Sequence, residues 1–158
     1  MRRLALVVLA AAGPAFTGLA ACSPKLPDGV DSAILTQAVG KSIGSPSTCV
    51  VIADASGKLV WRGGGYITCS RNLPDCEGAQ TTAEDLLKAS LGKPARFISC
   101  PSPAAAANTV GWSIGPVPTG DGKPARNLTY VAVMEGERAL PGLEIKDRVE
   151  RAFKKAGF

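Results

Sequence analysis

Four cysteines in the middle of the chain constrain its fold more than any other feature. Cys49, Cys69, Cys76 and Cys100 are an even set, which predicts two disulfides if the chain folds in an oxidising compartment. The alternative is a four-cysteine zinc site, but such sites use cysteine pairs only two to four residues apart. Spacing does not decide the connectivity. The pairing we favour is Cys69–Cys76, across a loop rich in Pro, Asn and Asp, together with Cys49–Cys100.

The first 21 residues have the layout of a secretory signal. Arg2 and Arg3 give a positive start, the run 4–16 is apolar and uncharged, and small residues precede Cys22. The apolar stretch is roughly 18 residues and is interrupted by Gly13-Pro14, whereas a membrane-spanning helix needs about 20 apolar residues. We therefore expect residues 1–21 to be a cleaved signal peptide and the mature chain to be exported.

The string Leu19-Ala20-Ala21-Cys22 resembles the lipobox of bacterial lipoproteins, in which leucine stands three residues before the modified cysteine. The resemblance implies a diacylglyceryl thioether on Cys22, cleavage before Cys22, and acylation of the new amine with a chain such as palmitate. Two or three acyl chains suffice for stable anchoring, so the lipid bilayer is an expected partner. The alternative is an ordinary signal peptide whose cleavage site carries a cysteine.

The residue after the cysteine bears on localisation in the cell envelope. In Gram-negative lipoproteins an aspartate there often signals retention in the inner membrane, and here the residue is Ser23. The resemblance therefore implies the periplasmic face of the outer membrane. In a cell with one membrane, it implies the outer face of the cytoplasmic membrane.

The mature chain is expected to consist of a short tether and one domain. Residues 22–30 contain the lipidated cysteine, two prolines and a glycine, which suit a tether, and residues 31–158 suffice for one core. Without Arg2 and Arg3 the formal net charge falls from +5 to +3. This excess can favour an anionic membrane surface, but it is too small to indicate a nucleic-acid partner.

Histidine is absent from the sequence. Its absence excludes Ser-His-Asp and Cys-His nucleophilic catalysis and removes the commonest ligand of transition metals. We therefore assign no catalytic residue, no metal ligand and no cofactor.

Apolar periodicity, helix caps and turn residues predict the order α-β-β-α-β-β-β-α. Asp31 can cap the first helix, and Thr81-Thr82-Ala83-Glu84 has capping-box spacing before the second. The predicted helices are 32–43, the segment from this box to about 91, and 143–156. The predicted strands are 49–53, 58–62 with an extension over 66–69, 96–99, 109–115 and 128–134. This order predicts a single α+β domain, an antiparallel sheet of about five strands with helices packed on it.

The element order resembles that of the profilin-like and roadblock-type α/β sandwiches, which have helices packed on one antiparallel sheet. The resemblance rests on element order and on no motif. Such folds serve sensing, scaffolding and ligand binding, so the resemblance implies no single function.

Acid-before-base pairs at i,i+4 characterise the last predicted helix, and each contributes about 0.2–0.5 kcal/mol. They are Glu144/Arg148, Asp147/Arg151 and Glu150/Lys154. We interpret this charge run as a solvated helix face in preference to a membrane-surface patch.

Two short strings invite a functional interpretation, but a structural one is favoured for each. Ser90-Leu91-Gly92-Lys93 matches the S-x-x-K of serine acyl-enzymes such as penicillin-binding proteins, yet the companion strings are missing and Gly92 breaks the helix. The segment 119–123 has the small residues and lysine of an anion loop, but no helix follows it. We expect a helix end and a surface loop. Trp61 and Trp112 are expected to be core or edge-of-sheet anchors rather than the lining of an apolar pocket.

These observations predict a non-enzymatic binding or scaffolding module of the cell envelope, whose partner is an envelope protein or polymer. The alternatives are an accessory or sensor subunit of an envelope complex and a small carboxylate-dependent enzyme, such as a glycan hydrolase. The acids available to that enzyme are Asp54, Asp75, Glu77, Glu84 and Asp85. A deep cleft with two carboxyl groups, one with a raised pKa, would favour the enzyme. An exposed apolar patch without a cleft would favour partner binding.

Overall fold

The computed structural model describes residues 25–44, 47–102 and 108–158. The helices are α1 (Ser32–Ile43), α2 (Tyr66–Ser70), α3 (Ala83–Ala89) and α4 (Gly142–Ala156). The strands are β1 (Thr48–Ala53), β2 (Leu59–Gly64), β3 (Leu73–Pro74), β4 (Gln80–Thr81), β5 (Arg96–Pro101), β6 (Thr109–Pro116) and β7 (Thr129–Gly136). The expected signal peptide, residues 1–21, and the expected lipidation site Cys22 lie outside the described residues.

Five strands form one antiparallel sheet in the order β2-β1-β7-β6-β5. The central strand β7 pairs with β1 through Val51 and Val131, and with β6 through Ile114 and Val131. The predicted fold class is thereby confirmed: a single α+β domain whose antiparallel sheet carries packed helices. Strands β3 and β4 form a separate hairpin between α2 and α3, in a stretch for which no strand was predicted.

Helices cover both faces of the sheet, because successive strand residues point to opposite sides and both sides are apolar. On one face, α1 and α4 pack on a core that includes Val50, Ile52 and Tyr130. On the other face, α3 packs on a core that includes Val51 and Trp112. The domain therefore has three layers, with the sheet buried between two sets of helices.

Phe153 on α4 is fully buried in the first of these cores. Its ring meets Tyr130 and Phe158 edge-on, with ring centroids 5.1 and 5.4 Å away. Burial raises the pKa of the Tyr130 hydroxyl well above its usual range, and Ser113 Oγ lies 2.8 Å from that hydroxyl. The neutral phenol thus satisfies its hydrogen bonding within the core.

Helix α1 and the β1–β2 hairpin agree with the prediction. The Asp31 side chain accepts a hydrogen bond from Ile34 N–H at 2.9 Å and so caps the helix. In the hairpin turn, Asp54 Oδ1 accepts from the N–H groups of Ser56 and Lys58. Gly57 has a φ of 82°, in the left-handed region that favours glycine.

The strand extension predicted over 66–69 is wrong, because this segment forms helix α2. Gly64 has a φ of 93°, and the N–H of Gly65 donates to the carbonyl of Thr48. The chain therefore turns off the sheet at the end of β2 and returns as a helix packed against β1.

The N-cap of helix α3 lies one residue later than the predicted capping box placed it. The N-cap is Thr82, whose Oγ1 accepts from the N–H of Asp85 at 3.1 Å. The box therefore consists of Thr82 and Asp85 in place of Thr81 and Glu84. Glu84 instead forms an ion pair with Arg62 on β2.

Helix α4 forms one of its three predicted ion pairs, Glu144–Arg148, at 2.6 Å. Glu150 pairs with Lys146, one turn before it, at 3.0 Å. The predicted pairs that the described structure lacks are Asp147/Arg151 and Glu150/Lys154. Because Glu150 pairs with Lys146, it does not pair with Lys154. Lys154 is exposed near the C-terminal end of α4.

The segment 25–30, the second part of the expected tether, lies on the domain. Leu26 and Val30 pack against the core beneath α1 and α4. The N–H of Asp31 donates to the carbonyl of Ala156 at 3.0 Å, which joins the start of α1 to the end of α4. The chain is therefore held on the domain before the first helix begins.

Candidate functional site

Two disulfides join the four cysteines in chain order, Cys49–Cys69 and Cys76–Cys100. Two disulfides were predicted and are confirmed, but the favoured pairing, Cys69–Cys76 with Cys49–Cys100, is wrong. Helix α2 places Cys69 against Cys49 on β1, which leaves Cys76 to bond with Cys100 on the edge strand β5. Among the described residues, no group of three or more Cys, Asp or Glu side chains is arranged to hold a metal ion.

We expect no free thiol at these four positions when the unreduced protein is unfolded and alkylated. Mild reduction of the folded protein should open Cys76–Cys100 first, since Cys49 and Cys69 are fully buried whereas Cys76 and Cys100 are partly exposed. Non-reducing peptide mapping by mass spectrometry gives the pairing. A peptide that links Cys69 to Cys76 would contradict the structure.

A cleft of about 520 Å³ lies between α3, the β3–β4 loop and the start of β5, and we call it the α3 cleft. Several candidate residues that are distant in sequence line it together. Asp75 and Glu77 come from the β3–β4 loop, and Ser90 and Lys93 follow α3. Arg96, at the start of β5, completes the charged lining.

The Asp75 carboxylate stabilises the loop that forms one wall of the α3 cleft. Its Oδ1 accepts hydrogen bonds from the N–H groups of Glu77 at 2.8 Å and Ala79 at 3.0 Å. These bonds favour the ionised form and lower the pKa of Asp75 below its usual value. Asp75 therefore lacks the raised pKa that a general acid needs near neutral pH. Its neighbour Glu77 forms an ion pair with Arg96 at 2.6 Å.

Ser90 and Lys93 share the cleft without the geometry of an S-x-x-K pair. Ser90 ends α3, and its N–H donates to the carbonyl of Leu87. Gly92 has a φ of 67°, so the chain turns before Lys93 and the lysine does not stand one helical turn above the serine. In the described part of the chain, Ser90 Oγ and Lys93 Nζ are not joined by a hydrogen bond. This geometry agrees with the helix end expected here.

The three other candidate acids lie outside the lining of the α3 cleft. Asp54 holds the β1–β2 turn, where hydrogen bonds led by that from the Ser56 hydroxyl lower its pKa. Glu84 pairs with Arg62, and Asp85 accepts a hydrogen bond from the Thr82 hydroxyl in the cap of α3. Each of these carboxylates therefore has a local structural role.

The loop 119–123 covers the C-terminal end of α4. Lys123 Nζ donates to the carbonyls of Gly157 at 2.7 Å and Phe158 at 3.3 Å. A cation at this position satisfies terminal carbonyls and interacts favourably with the helix dipole. The lysine thus binds backbone of its own chain, which agrees with the surface loop expected here.

Both tryptophans are buried anchors, and Trp61, on the edge strand β2, also lines a cleft beside the segment 25–30. Trp61 packs into the core beneath α1 and α4, and Trp112 is fully buried beneath α3. The Trp112 indole N–H donates to the carbonyl of Pro74 at 2.8 Å and so holds the β3–β4 hairpin on the sheet.

A buried ion pair was not anticipated from the sequence. The Glu135 side chain, at the end of β7, is only 4% exposed, and its two oxygens lie 2.5 and 3.1 Å from the guanidinium nitrogens of Arg71. Ser102 Oγ donates to the same carboxylate at 2.8 Å. These residues are 64 and 33 positions from Glu135, so no local spacing could have revealed the cluster.

Comparison of the chain with protein-family models, with curated proteins and with solved structures gives no match. Within the ranges that the structure describes, no helix is long and apolar enough to cross a membrane. The assignment of a function therefore depends on the residues themselves and on their geometry.

Proposed function

We propose that the protein is an exported lipoprotein, anchored in a membrane by acyl chains on Cys22. The observation that carries this proposal is Leu19-Ala20-Ala21-Cys22, directly after a positive start and an apolar run. Ser23 supports the periplasmic face of the outer membrane in a Gram-negative cell. In a cell with a single membrane, the domain would stand on its outer face.

The pairing of the cysteines supports export. Disulfides persist in oxidising compartments outside the cytosol, and the two bonds use Cys49, Cys69, Cys76 and Cys100. Of the five cysteines in the sequence, Cys22 alone is left over from this pairing. A leftover cysteine directly after a signal peptide suits lipid attachment.

The exported domain is a non-enzymatic binding or scaffolding module for an envelope protein or polymer, and it acts without a metal or organic cofactor. The two acids of the α3 cleft support this role rather than hydrolysis. The Asp75 carboxylate is held in its ionised form by loop N–H groups, and the Glu77 carboxylate pairs with Arg96. A glycan hydrolase would need one of its two carboxyl groups protonated near neutral pH.

Replacing Cys22 with alanine should abolish lipid attachment and signal-peptide cleavage, because the thioether requires the Cys22 sulfur. Cells that express the protein are grown with an alkyne analogue of palmitate, and the label is read on the purified chain. We expect label on the wild-type protein, and on Cys22→Ala neither label nor removal of the leader.

Ser23→Ala is the matched control, since it alters the adjacent residue and keeps the sulfur. It should carry as much label as the wild-type protein. Full labelling of Cys22→Ala, or an unlabelled wild-type chain, would overturn the proposed anchor.

A further inference from the structure

We infer that the end of the domain that carries the anchor is a basic surface that contacts anionic phospholipid headgroups. This end, called the anchor end below, comprises residues 25–31, 117–128 and 154–158. Its placement beside a bilayer rests on the proposed lipid anchor. Its charge is an independent observation, which can be tested on a chain without lipid.

The three segments of the anchor end adjoin one another. The N–H of Asp31 donates to the carbonyl of Ala156 at 3.0 Å, which joins the first segment to the third. The guanidinium of Arg126 donates to the carbonyl of Asp28 at 3.2 Å, which joins the second segment to the first. The same guanidinium stacks over the ring of Phe158, with 6.0 Å to its centroid. The anchor end is therefore one continuous surface.

The proposed anchor holds this surface close to the bilayer. Only Ser23 and Pro24 separate Cys22 from Lys25, and three Cα–Cα steps span at most about 11 Å. Leu26 and Val30 pack on the core, so the chain after Lys25 adds no length to the tether. That reach is comparable to the Debye length of about 8 Å at physiological ionic strength, so the charges nearest the tether interact with the headgroups.

Basic residues outnumber acidic ones on the anchor end. They are Lys25, Lys123, Arg126, Lys154 and Lys155, against Asp28, Asp31 and Asp121. The basic groups of Lys123 and Arg126 donate to backbone carbonyls. Lys154 and Lys155 are exposed, and Glu150 pairs with Lys146 instead of neutralising Lys154. The middle of the charged face of α4 is thus a solvated helix face, and the last turn of the helix belongs to the anchor end.

The opposite end of the domain has a smaller basic excess. Its segments 41–44 and 135–144 contain Lys41 and Arg138 with Glu135, Glu137 and Glu144. Arg71 and Arg148 pair there with Glu135 and Glu144 and neutralise two of these three acids. Helix α4 has 15 residues and separates the two ends by about 22 Å. That distance exceeds the Debye length, so the charges of the two ends act separately and the larger basic excess lies beside the proposed anchor.

The test measures the partition of residues 22–158, carrying Cys22→Ser and no lipid, onto vesicles. This chain contains the whole described domain with its core and both disulfides. We expect binding to vesicles of phosphatidylglycerol and phosphatidylcholine, loss of that binding at high salt, and none to phosphatidylcholine alone. The double variant Lys154→Gln with Lys155→Gln should lower the partition coefficient on the order of 30-fold, because each lysine near an anionic surface contributes about fivefold.

Lys41→Gln with Arg138→Gln is the matched control, because it removes the same net charge from the opposite end. It should change the partition coefficient by less than about threefold, since these groups lie beyond the Debye length. Equal losses in the two double variants, or no binding to anionic vesicles, would overturn the inference. The vesicle experiment uses a chain without lipid, so failure of this inference can be distinguished from failure of the proposed lipid anchor.

Discussion

Phe153→Ala should lower the free energy of unfolding by about 3–5 kcal/mol, as expected for a large-to-small change in a packed core. The Phe153 side chain is 0% exposed, and its ring contacts both Tyr130 and Phe158. Sheet and helices surround the site, so little movement can refill the space. Urea unfolding with the disulfides intact, followed by tryptophan fluorescence, measures the loss.

Phe97→Ala is the matched control for this substitution. Phe97 lies on the edge strand β5, is 36% exposed, and has the ammonium of Lys146 at 5.8 Å from its ring centroid. Such an exposed contact contributes on the order of 0.5–1 kcal/mol, so the control should lose about 1 kcal/mol or less. Similar losses for the two variants would contradict the packing described for Phe153.

Glu135→Ala should lower the free energy of unfolding by about 3 kcal/mol, the low end of the range for breaking a buried ion pair. The substitution removes the acceptor for Arg71 and for the Ser102 hydroxyl. Arg71 is 41% exposed, so water can solvate part of its released charge. Urea unfolding gives the value, and far-UV circular dichroism shows that the variant still folds.

Glu77→Ala breaks the Glu77–Arg96 pair, in which both side chains are exposed, and should cost less than about 1 kcal/mol. The double variant Arg71→Met with Glu135→Met should regain part of the stability lost in Glu135→Ala, because no unpaired charge is left. Equal losses of unfolding free energy for Glu77→Ala and Glu135→Ala would mean that burial of the Glu135–Arg71 pair has no energetic consequence.

Elements that depend on neighbouring residues could be predicted from the sequence. Helix α1 begins and ends where expected, at Ser32 and Ile43, because Asp31 supplies the cap and Gly44 follows the last apolar residue. The β1–β2 hairpin likewise follows from its Asp54–Gly57 turn. In these segments the local pattern and the tertiary packing favour the same conformation.

Elements that depend on distant contacts could not be predicted. The segment 66–69 has the composition of a strand, yet the turn at Gly64 and the bond to Cys49 make it a helix. The pairing favoured from the sequence closed the loop between Cys69 and Cys76, whereas in the structure helix α2 places Cys69 beside Cys49. The hydrogen bond between Asp31 and Ala156 joins residues near opposite ends of the chain, and no local pattern reveals it.

The candidate site could be predicted only as separate residues. Ser90 and Lys93 were identified from a short string, and Asp75 and Glu77 only as available acids. Their convergence on the α3 cleft depends on how the β3–β4 hairpin packs beside α3. The lowered pKa of Asp75 arises from backbone N–H groups and has no signature in composition. The likeness to profilin-like and roadblock-type sandwiches, inferred from element order, stays a prediction.

The disulfides link consecutive cysteines, so the loops they close neither overlap nor enclose one another. A chain that enters an oxidising compartment N-terminus first presents Cys49 and Cys69 before Cys76 and Cys100. Oxidation on arrival then gives the native bonds directly, whereas a nested pattern would require thiol–disulfide exchange to undo early pairs. We therefore expect that, if the chain is exported as proposed, its native bonds form with an oxidant and without an isomerase.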